Sequence, residues 1–98
     1  MYTILRSSVF AEWLDGLTDE QAKARIMARI LSAEKGNFGD GAPVGGGISE
    51  MRVHVGPGYR ACYAQHGKLV YLLLCGGDKS TQKRDIKRAK AILAALKE

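Results

Sequence analysis

The chain has 98 residues, a formal net charge of +5, and 46% hydrophobic and 26% charged residues. This length suits one domain, so we expect residues 1–98 to fold as a single unit that buries about two thirds of its unfolded surface. No apolar run approaches the roughly 20 residues needed to span a bilayer, and the N-terminus lacks the layout of a secretory signal, which predicts a cytoplasmic protein without membrane partners.

The first half of the chain predicts a strand followed by a hairpin of two helices. Residues 2–6 read as a short strand, and a serine at position 7 or 8 is placed to cap a helix whose apolar residues recur at helical spacing. Thr18 and Gln21 then fit a capping box, so a second helix should begin there and end near Gly36. The short link between the two helices is typical of a helical hairpin.

The second helix has an apolar face and a basic face. Its apolar residues are expected to point inward, and they are Ala22, Ile26, Met27, Ile30 and Ala33. Lys23, Arg25 and Arg29 are expected to lie outside, where basic side chains can contact the phosphates of a nucleic acid.

The middle of the chain predicts a loop and three strands. Residues 36–47 contain six of the twelve glycines and read as a connecting loop. Strands are predicted at 48–55, 59–65 and 68–75, separated by a Gly-Pro-Gly turn and a His-Gly turn. The last of the three is almost wholly apolar, so both of its faces should be covered.

After the Gly76-Gly77 break, a basic amphipathic helix is predicted from about residue 81 to residue 97. Ser80 is a plausible cap, and the inward residues should be Ile86, Ala89, Leu93 and Leu96. The predicted order is therefore β-α-α-β-β-β-α. This order indicates an α+β fold, with a mainly antiparallel sheet, a two-helix hairpin on one face and a C-terminal helix.

Cofactor chemistry has little support in the sequence. Cys62 and Cys75 are too few and too far apart for a metal site or a disulfide framework, so we expect two reduced thiols in the core. Asp78 stands where a nucleotide-binding loop needs glycine before the lysine, which argues against nucleoside triphosphate binding. We expect neither a metal nor a cofactor.

Period-two alternation gives one strand a polar face. Along residues 48–55, Glu50, Arg52 and His54 share one side of the strand. If Arg60 of the next strand lies on the same side, and Lys79 reaches the rim, their charges converge on one surface. The alternative is an ordinary polar face on which Glu50 pairs with one of the arginines.

Such a surface suits a phosphodiester. Arginine binds phosphate oxygens through two N–H groups and would stabilise the charge that develops at a pentavalent phosphorus. His54 is a candidate for proton transfer, because the unperturbed histidine pKa lies near neutrality. RNA supplies its own nucleophile, the 2′-hydroxyl, so this chemistry requires no metal.

The charge is concentrated in the second half of the chain. Residues 1–50 carry five basic and seven acidic side chains, whereas residues 51–98 carry ten and three. In the last helix, Lys83, Arg84 and Lys87 are candidates for nucleic-acid contact, although a solvated face would have the same composition.

Three stretches of the sequence resemble the RelE/ParE superfamily of type II toxin–antitoxin toxins, and most of all its HigB-like addiction-module killer proteins. They are Gly36-Asn37-Phe38-Gly39-Asp40, the segment 48–60 that contains Arg52 and Arg60, and the segment 73–82 with Lys79. The resemblance covers nearly the whole chain. It implies the same fold and a partner antitoxin, usually a helix-turn-helix protein encoded adjacently.

The resemblance also implies an activity. Toxins similar to RelE cut messenger RNA on the ribosome with basic side chains, and Arg52, Arg60 and Lys79 match such residues by position. His54 has no secure counterpart, and the C-terminal tyrosine of many RelE-type nucleases is missing, because no aromatic residue follows Tyr71. Two alternatives stay open: a ParE-like poison of DNA gyrase that acts by binding alone, and a non-toxic module that binds the antitoxin as a co-repressor.

Overall fold

A computed structural model describes residues 1–96 as an α+β fold, which confirms the predicted fold class. The strands are β1 (Thr3–Arg6), β2 (Gly41–Gly45), β3 (Ile48–Val53), β4 (Tyr59–Gln65) and β5 (Val70–Asp78). The helices are α1 (Ser8–Asp15), α2 (Glu20–Glu34) and α3 (Gln82–Leu96). None of the helices in this described part of the chain is long and apolar enough to cross a membrane.

The strands form one sheet in the order β1-β5-β4-β3-β2, in which β1 runs parallel to β5 and the other pairs are antiparallel. One face packs on α1 and α2 through a core that includes Phe10, Ile26 and Leu73. The opposite face packs on α3 through a second core that includes Leu74 and Ala89. Because β5 contributes to both cores, the prediction of a strand covered on both faces is confirmed.

The glycine-rich segment corrects the predicted element order. Residues 41–45 form β2 instead of a loop, so the order is β-α-α-β-β-β-β-α. A proline at position 43 is tolerated because β2 is an edge strand, where a missing N–H leaves no ladder bond unmade. Positive φ angles at Gly45, Gly46 and Gly47 then reverse the chain into β3.

Three predictions for α2 are wrong: those for its cap, for Met27 and for Arg29. Asp19, not Thr18, caps the helix, and its carboxylate accepts bonds of 3.1 Å from the backbone N–H groups of Gln21 and Ala22. Met27, predicted to lie inside, is 36% exposed, whereas Arg29, predicted to lie outside, is half-buried. Arg29 points inward because its guanidinium donates to backbone carbonyl oxygens beneath the helix.

The entry into α3 also differs from the prediction. β5 continues through both glycines to Asp78, and a single 3-10 turn, Lys79–Thr81, leads into the helix. Asp78 caps this turn in place of Ser80. Leu96, predicted to face inward, is 53% exposed, and Lys97 lies outside the described residues.

The two cysteines lie in the core, as predicted. Cys62 and Cys75 are directly opposite each other on β4 and β5, and both are buried free thiols. Contact with the Cys75 thiol and burial both raise the pKa of Cys62. Cys62 therefore remains a protonated thiol that packs as a small apolar group.

Asp78 should make the stability depend on acid pH. Its carboxylate accepts bonds from the Ser80 hydroxyl and backbone N–H, and these bonds hold the pKa of Asp78 below its usual range. Because the pKa of Asp78 is lower in the folded protein, its ionised carboxylate contributes to the free energy of unfolding. This contribution is complete above the pKa of the unfolded state, about 3.9, and is lost as the pH falls through the pKa of the folded state. We expect Asp78→Asn to flatten the decline of unfolding free energy below about pH 4, measured by urea unfolding. An unchanged acid slope would contradict this assignment.

Candidate functional site

The strand register brings two predicted site residues together. Arg52 on β3 lies directly opposite Arg60 on β4. Both guanidiniums bond the same carboxylate oxygen of Glu50, at 2.7 Å from Arg60 Nη1 and 3.3 Å from Arg52 Nε. The expectation that Arg60 shares the face of Glu50 and Arg52 is therefore confirmed.

Glu50 holds this pair in place. Its side chain is 1% exposed, and a carboxylate removed from water in this way needs bonded donors to remain charged. Gln82, at the start of α3, supplies a third donor, because its Nε2 lies 3.0 Å and 3.2 Å from the two carboxylate oxygens. Sequence reasoning did not identify Gln82, which is brought here from 32 residues away.

The arginines keep donors for a further anion. A guanidinium has five N–H donors, and Glu50 is bonded to one nitrogen of each arginine. The Arg52 side chain is 34% exposed and the Arg60 side chain 17%. Two arginines and one glutamate leave one net positive charge, so this cluster can accept a phosphate at the sheet surface.

His54 lies just beyond β3 and is paired with Asp40. The histidine Nε2 is bonded to Asp40 Oδ2, and the histidine side chain is 73% exposed. The bond from His54, followed by the positive charges of His54, Arg52 and Arg29, holds the pKa of Asp40 below its usual range. One ring nitrogen, Nδ1, remains for proton transfer to a substrate.

A structured segment positions Asp40. Phe38 stacks on Tyr63 with ring centroids 5.0 Å apart, which fixes the segment against the sheet. Arg29 Nη2 donates to the backbone oxygens of Phe38 at 2.8 Å and Asp40 at 2.9 Å, while Arg29 Nη1 donates to the Arg52 oxygen. The glycine-rich segment, interpreted from sequence only as a connection, therefore orients the partner of His54.

Lys79 lies at the same end of the sheet. It follows Asp78, whose register partner is Tyr59, the neighbour of Arg60. Lys79 is exposed in the 3-10 turn before α3. The structure therefore brings Arg52, His54, Arg60 and Lys79 to one end, while their catalytic roles remain predictions.

The predicted nucleic-acid contacts fall into two groups. Lys83, Arg84 and Lys87 are exposed on α3, on one face of the sheet. Lys23 and Arg25 lie on α2, on the other face; Arg25 is exposed as predicted, whereas Lys23, also predicted to lie outside, is half-buried.

Arg25 and Arg29 differ within the α2 group. Arg25 is exposed and, together with His54, lines a cleft of about 530 Å³. Arg29 lines the same cleft, but its guanidinium is bonded to the backbone, which contradicts the expectation that it faces solvent.

Comparison with known proteins identifies the family of the chain. A family model described as phage derived protein Gp49-like matches residues 12–97. The chain belongs to the Gp49-like family. This family is associated with the toxins of toxin–antitoxin systems.

The chain is also similar to a protein of comparable length from Haemophilus influenzae (strain ATCC 51907 / DSM 11121 / KW20 / Rd). This uncharacterized protein is 47% identical over 87 residues, which are 89% of the present chain and 88% of the relative. The Gp49-like match contains all the candidate site residues described above, from Lys23 to Lys87. Within residues 1–96, no group of three or more His, Cys, Asp or Glu side chains is arranged to hold a metal ion.

Proposed function

We propose that this Gp49-like protein is the toxin of a type II toxin–antitoxin system, a HigB-like member of the RelE/ParE superfamily. Residues 1–98 act as one toxin domain, which a helix-turn-helix antitoxin encoded adjacently holds inactive. The toxin is a ribosome-dependent, metal-free endoribonuclease that cuts messenger RNA and inhibits translation. The pairing of Arg52 with Arg60 beside His54 is the observation that carries this proposal.

The proposed cut uses the 2′-hydroxyl of the RNA. Its oxygen bonds to the adjacent phosphorus while the bond from phosphorus to the 5′-oxygen of the next nucleotide breaks. One proton leaves the 2′-hydroxyl and one is delivered to the departing 5′-oxygen. His54 is the candidate for one of these transfers, and the free donors of Arg52 and Arg60 stabilise the extra charge on phosphorus.

The charge distribution supports an RNA-rich target. Basic side chains are exposed on both faces of the sheet: Arg25 on α2, beside the half-buried Lys23, and Lys83, Arg84 and Lys87 on α3. Contacts of this kind with phosphates provide affinity without sequence selectivity. The ribosome would then present the messenger to the Arg52–Arg60 end of the sheet.

The decisive experiment expresses the chain without its antitoxin and maps the 5′ ends of cellular RNA. Cuts in phase with codons of translated messages support the proposal. Intact messages together with gyrase-linked double-strand breaks would instead identify a ParE-like poison. Unimpaired growth at verified expression would identify an antitoxin-binding co-repressor.

Lys79 offers a test of the site that should disturb the fold little, because its side chain is exposed. We expect Lys79→Ala to slow cleavage about a hundredfold, since it removes positive charge near the reacting phosphate. Cleavage of a ribosome-bound message in a purified translation system measures the effect. The matched control is Lys68→Ala, in the exposed β4–β5 turn at the opposite end of the sheet. Equal losses in both variants would contradict the role of Lys79.

A further inference from the structure

A second groove, of about 310 Å³, lies beside β5 between α1 and α3. β1 pairs with β5 only as far as Leu73, so Gly76 and Gly77 lie beyond the end of β1 and line this groove. The groove is separate from the Arg52–Arg60 cluster. The first turns of α3 lie between the two, because Gln82 reaches Glu50 while Arg84 and Arg88 line the groove.

Close packing around β5 explains the two glycines. A Cβ atom on Gly76 would lie 2.2 Å from the ring of Trp13, and one on Gly77 would lie 1.9 Å from Asp85 Oδ2. Both distances are shorter than any van der Waals contact. The absence of these side chains lets Trp13 pack directly on the strand at Gly76 and lets Asp85 approach Gly77.

Two aromatic rings and two arginines give the groove its chemistry. Trp13 and Tyr59 are half-buried, with ring centroids 6.1 Å apart. Arg84 and Arg88 are four residues apart on α3, so they lie on the same side of the helix. Aromatic rings on which bases stack, combined with arginines for phosphate, are typical of proteins that bind single-stranded nucleic acid.

Carboxylates near the groove are already engaged. Asp78, which lines the groove, caps the turn before α3 through a 2.8 Å bond from the Ser80 backbone N–H. Asp85 is buried and accepts a 2.6 Å bond from the Thr81 hydroxyl. Its 3.6 Å contact with Arg84 is weak, because the arginine side chain is 72% exposed. The lining residues carry two arginines against one aspartate, which favours an anionic occupant.

We propose that this groove binds one unpaired nucleotide of RNA, with its base against Trp13 and Tyr59 and its phosphate on Arg84 and Arg88. The inference rests on the proposed function, because it assigns a place to RNA that flanks the cut. A strand whose reacting phosphate lies at Arg52 and Arg60 would cross the start of α3 and place a neighbouring nucleotide in the groove. This nucleotide would add affinity and orient the strand.

Trp13 is the protein's single tryptophan, so its fluorescence reports directly on the groove. The probe is a six-nucleotide RNA with 2′-O-methyl groups, which cannot be cut through its 2′ position. We expect this RNA to quench the fluorescence with saturation. An oligomer of the same length without bases should bind more weakly and quench little, because it cannot stack.

Three variants separate groove binding from general charge attraction. Arg88→Ala should weaken binding about tenfold and reduce the slope of log affinity against log salt by about 0.7. Tyr59→Leu should weaken binding at least about fivefold with little change of that slope. The control, Lys90→Ala, removes one charge from the same helix on the flank that faces Gly46, and should have a much smaller effect. Thermal unfolding verifies that each variant is folded.

Several results would overturn the proposal. They are equal weakening by Arg88→Ala and Lys90→Ala, equal affinity for the oligomer without bases, and unchanged fluorescence at RNA saturation. If RNA leaves the fluorescence unchanged while an acidic peptide shifts it, the groove is a protein-docking surface. The binding assay requires no cleavage, so messages that stay intact in cells while the RNA still quenches would refute the nuclease and leave the groove assignment standing.

Discussion

Replacing Arg60 with alanine should abolish RNA cleavage and also lower the free energy of unfolding by about 2–3 kcal/mol. Arg60 donates the shortest bond to Glu50, 2.7 Å, and the Glu50 side chain is 1% exposed. Loss of that donor leaves a buried carboxylate with Arg52 and Gln82 alone. The destabilisation should lie below the roughly 3–5 kcal/mol typical of a broken buried ion pair, because these two donors remain.

A second substitution separates the two effects. In the double variant Glu50→Gln/Arg60→Ala, the buried group is neutral and needs no guanidinium to compensate a charge. We expect it to recover at least about half of the lost stability while cleavage stays absent, since the phosphate still lacks Arg60. Urea unfolding measures the stability, and cleavage of a ribosome-bound message measures the activity.

The outcomes are distinct for each role of Arg60. Full cleavage by Arg60→Ala would refute the proposed site. A fully stable but inactive Arg60→Ala would retain the catalytic role and refute the structural role of its bond to Glu50. Inactivity that disappears when stability is restored in the double variant would show that Arg60 acts only through the fold.

The polar face of β3 was predictable because it depends only on the alternation of side chains along a strand. Alternation places Glu50 and Arg52 on one side of β3 whatever the tertiary structure does. The position of Arg60 required the register between β3 and β4, which a two-residue period does not specify. The structure supplies this register by pairing Arg52 with Arg60 across the turn at residues 56–58.

Other features depend on contacts that no local pattern encodes. Composition predicted a loop at residues 41–45, but pairing with β3 makes a strand of them, because tertiary context outweighs the low strand propensity of glycine. Gln82 joins the site only after α3 folds across the sheet. The position of Asp40 depends on Arg29. The place of Arg29 on α2 allowed its long side chain to point either to solvent or toward the sheet.

Replacing Arg29 with methionine should lower the free energy of unfolding by about 2 kcal/mol. Its guanidinium bonds three backbone oxygens, those of Phe38, Asp40 and Arg52, and bonds from charged donors contribute about 1.5–3 kcal/mol each. Two features reduce the total. Arg29 Nε is buried without a hydrogen-bond partner among residues 1–96, and the oxygens of an exposed segment can bond water instead.

Arg25→Met is the matched control, because Arg25 lies one turn earlier on α2, is exposed and lines the same cleft. We expect it to change the unfolding free energy by less than about 0.5 kcal/mol. Hydrogen exchange at the Arg52 amide provides a local measurement, because this N–H donates to the Asp40 oxygen at 2.9 Å. In Arg29→Met, the Arg52 amide should lose more protection than the amides that exchange only through global unfolding, whereas in Arg25→Met it should not.

Loss of the Arg29 anchor should also lower the rate of RNA cleavage, through its effect on Asp40 and His54. When residues 36–40 are held to the sheet only by the Phe38–Tyr63 stack and the Arg52 N–H bond, the Asp40 carboxylate fixes the imidazole less firmly, so cleavage should slow at temperatures where Arg29→Met is still folded. Equal destabilisation by Arg25→Met, or an unchanged exchange rate at Arg52, would show that Arg29 does not anchor this segment. Slower cleavage with normal protection of the Arg52 amide would instead indicate that Arg29 contacts the RNA directly.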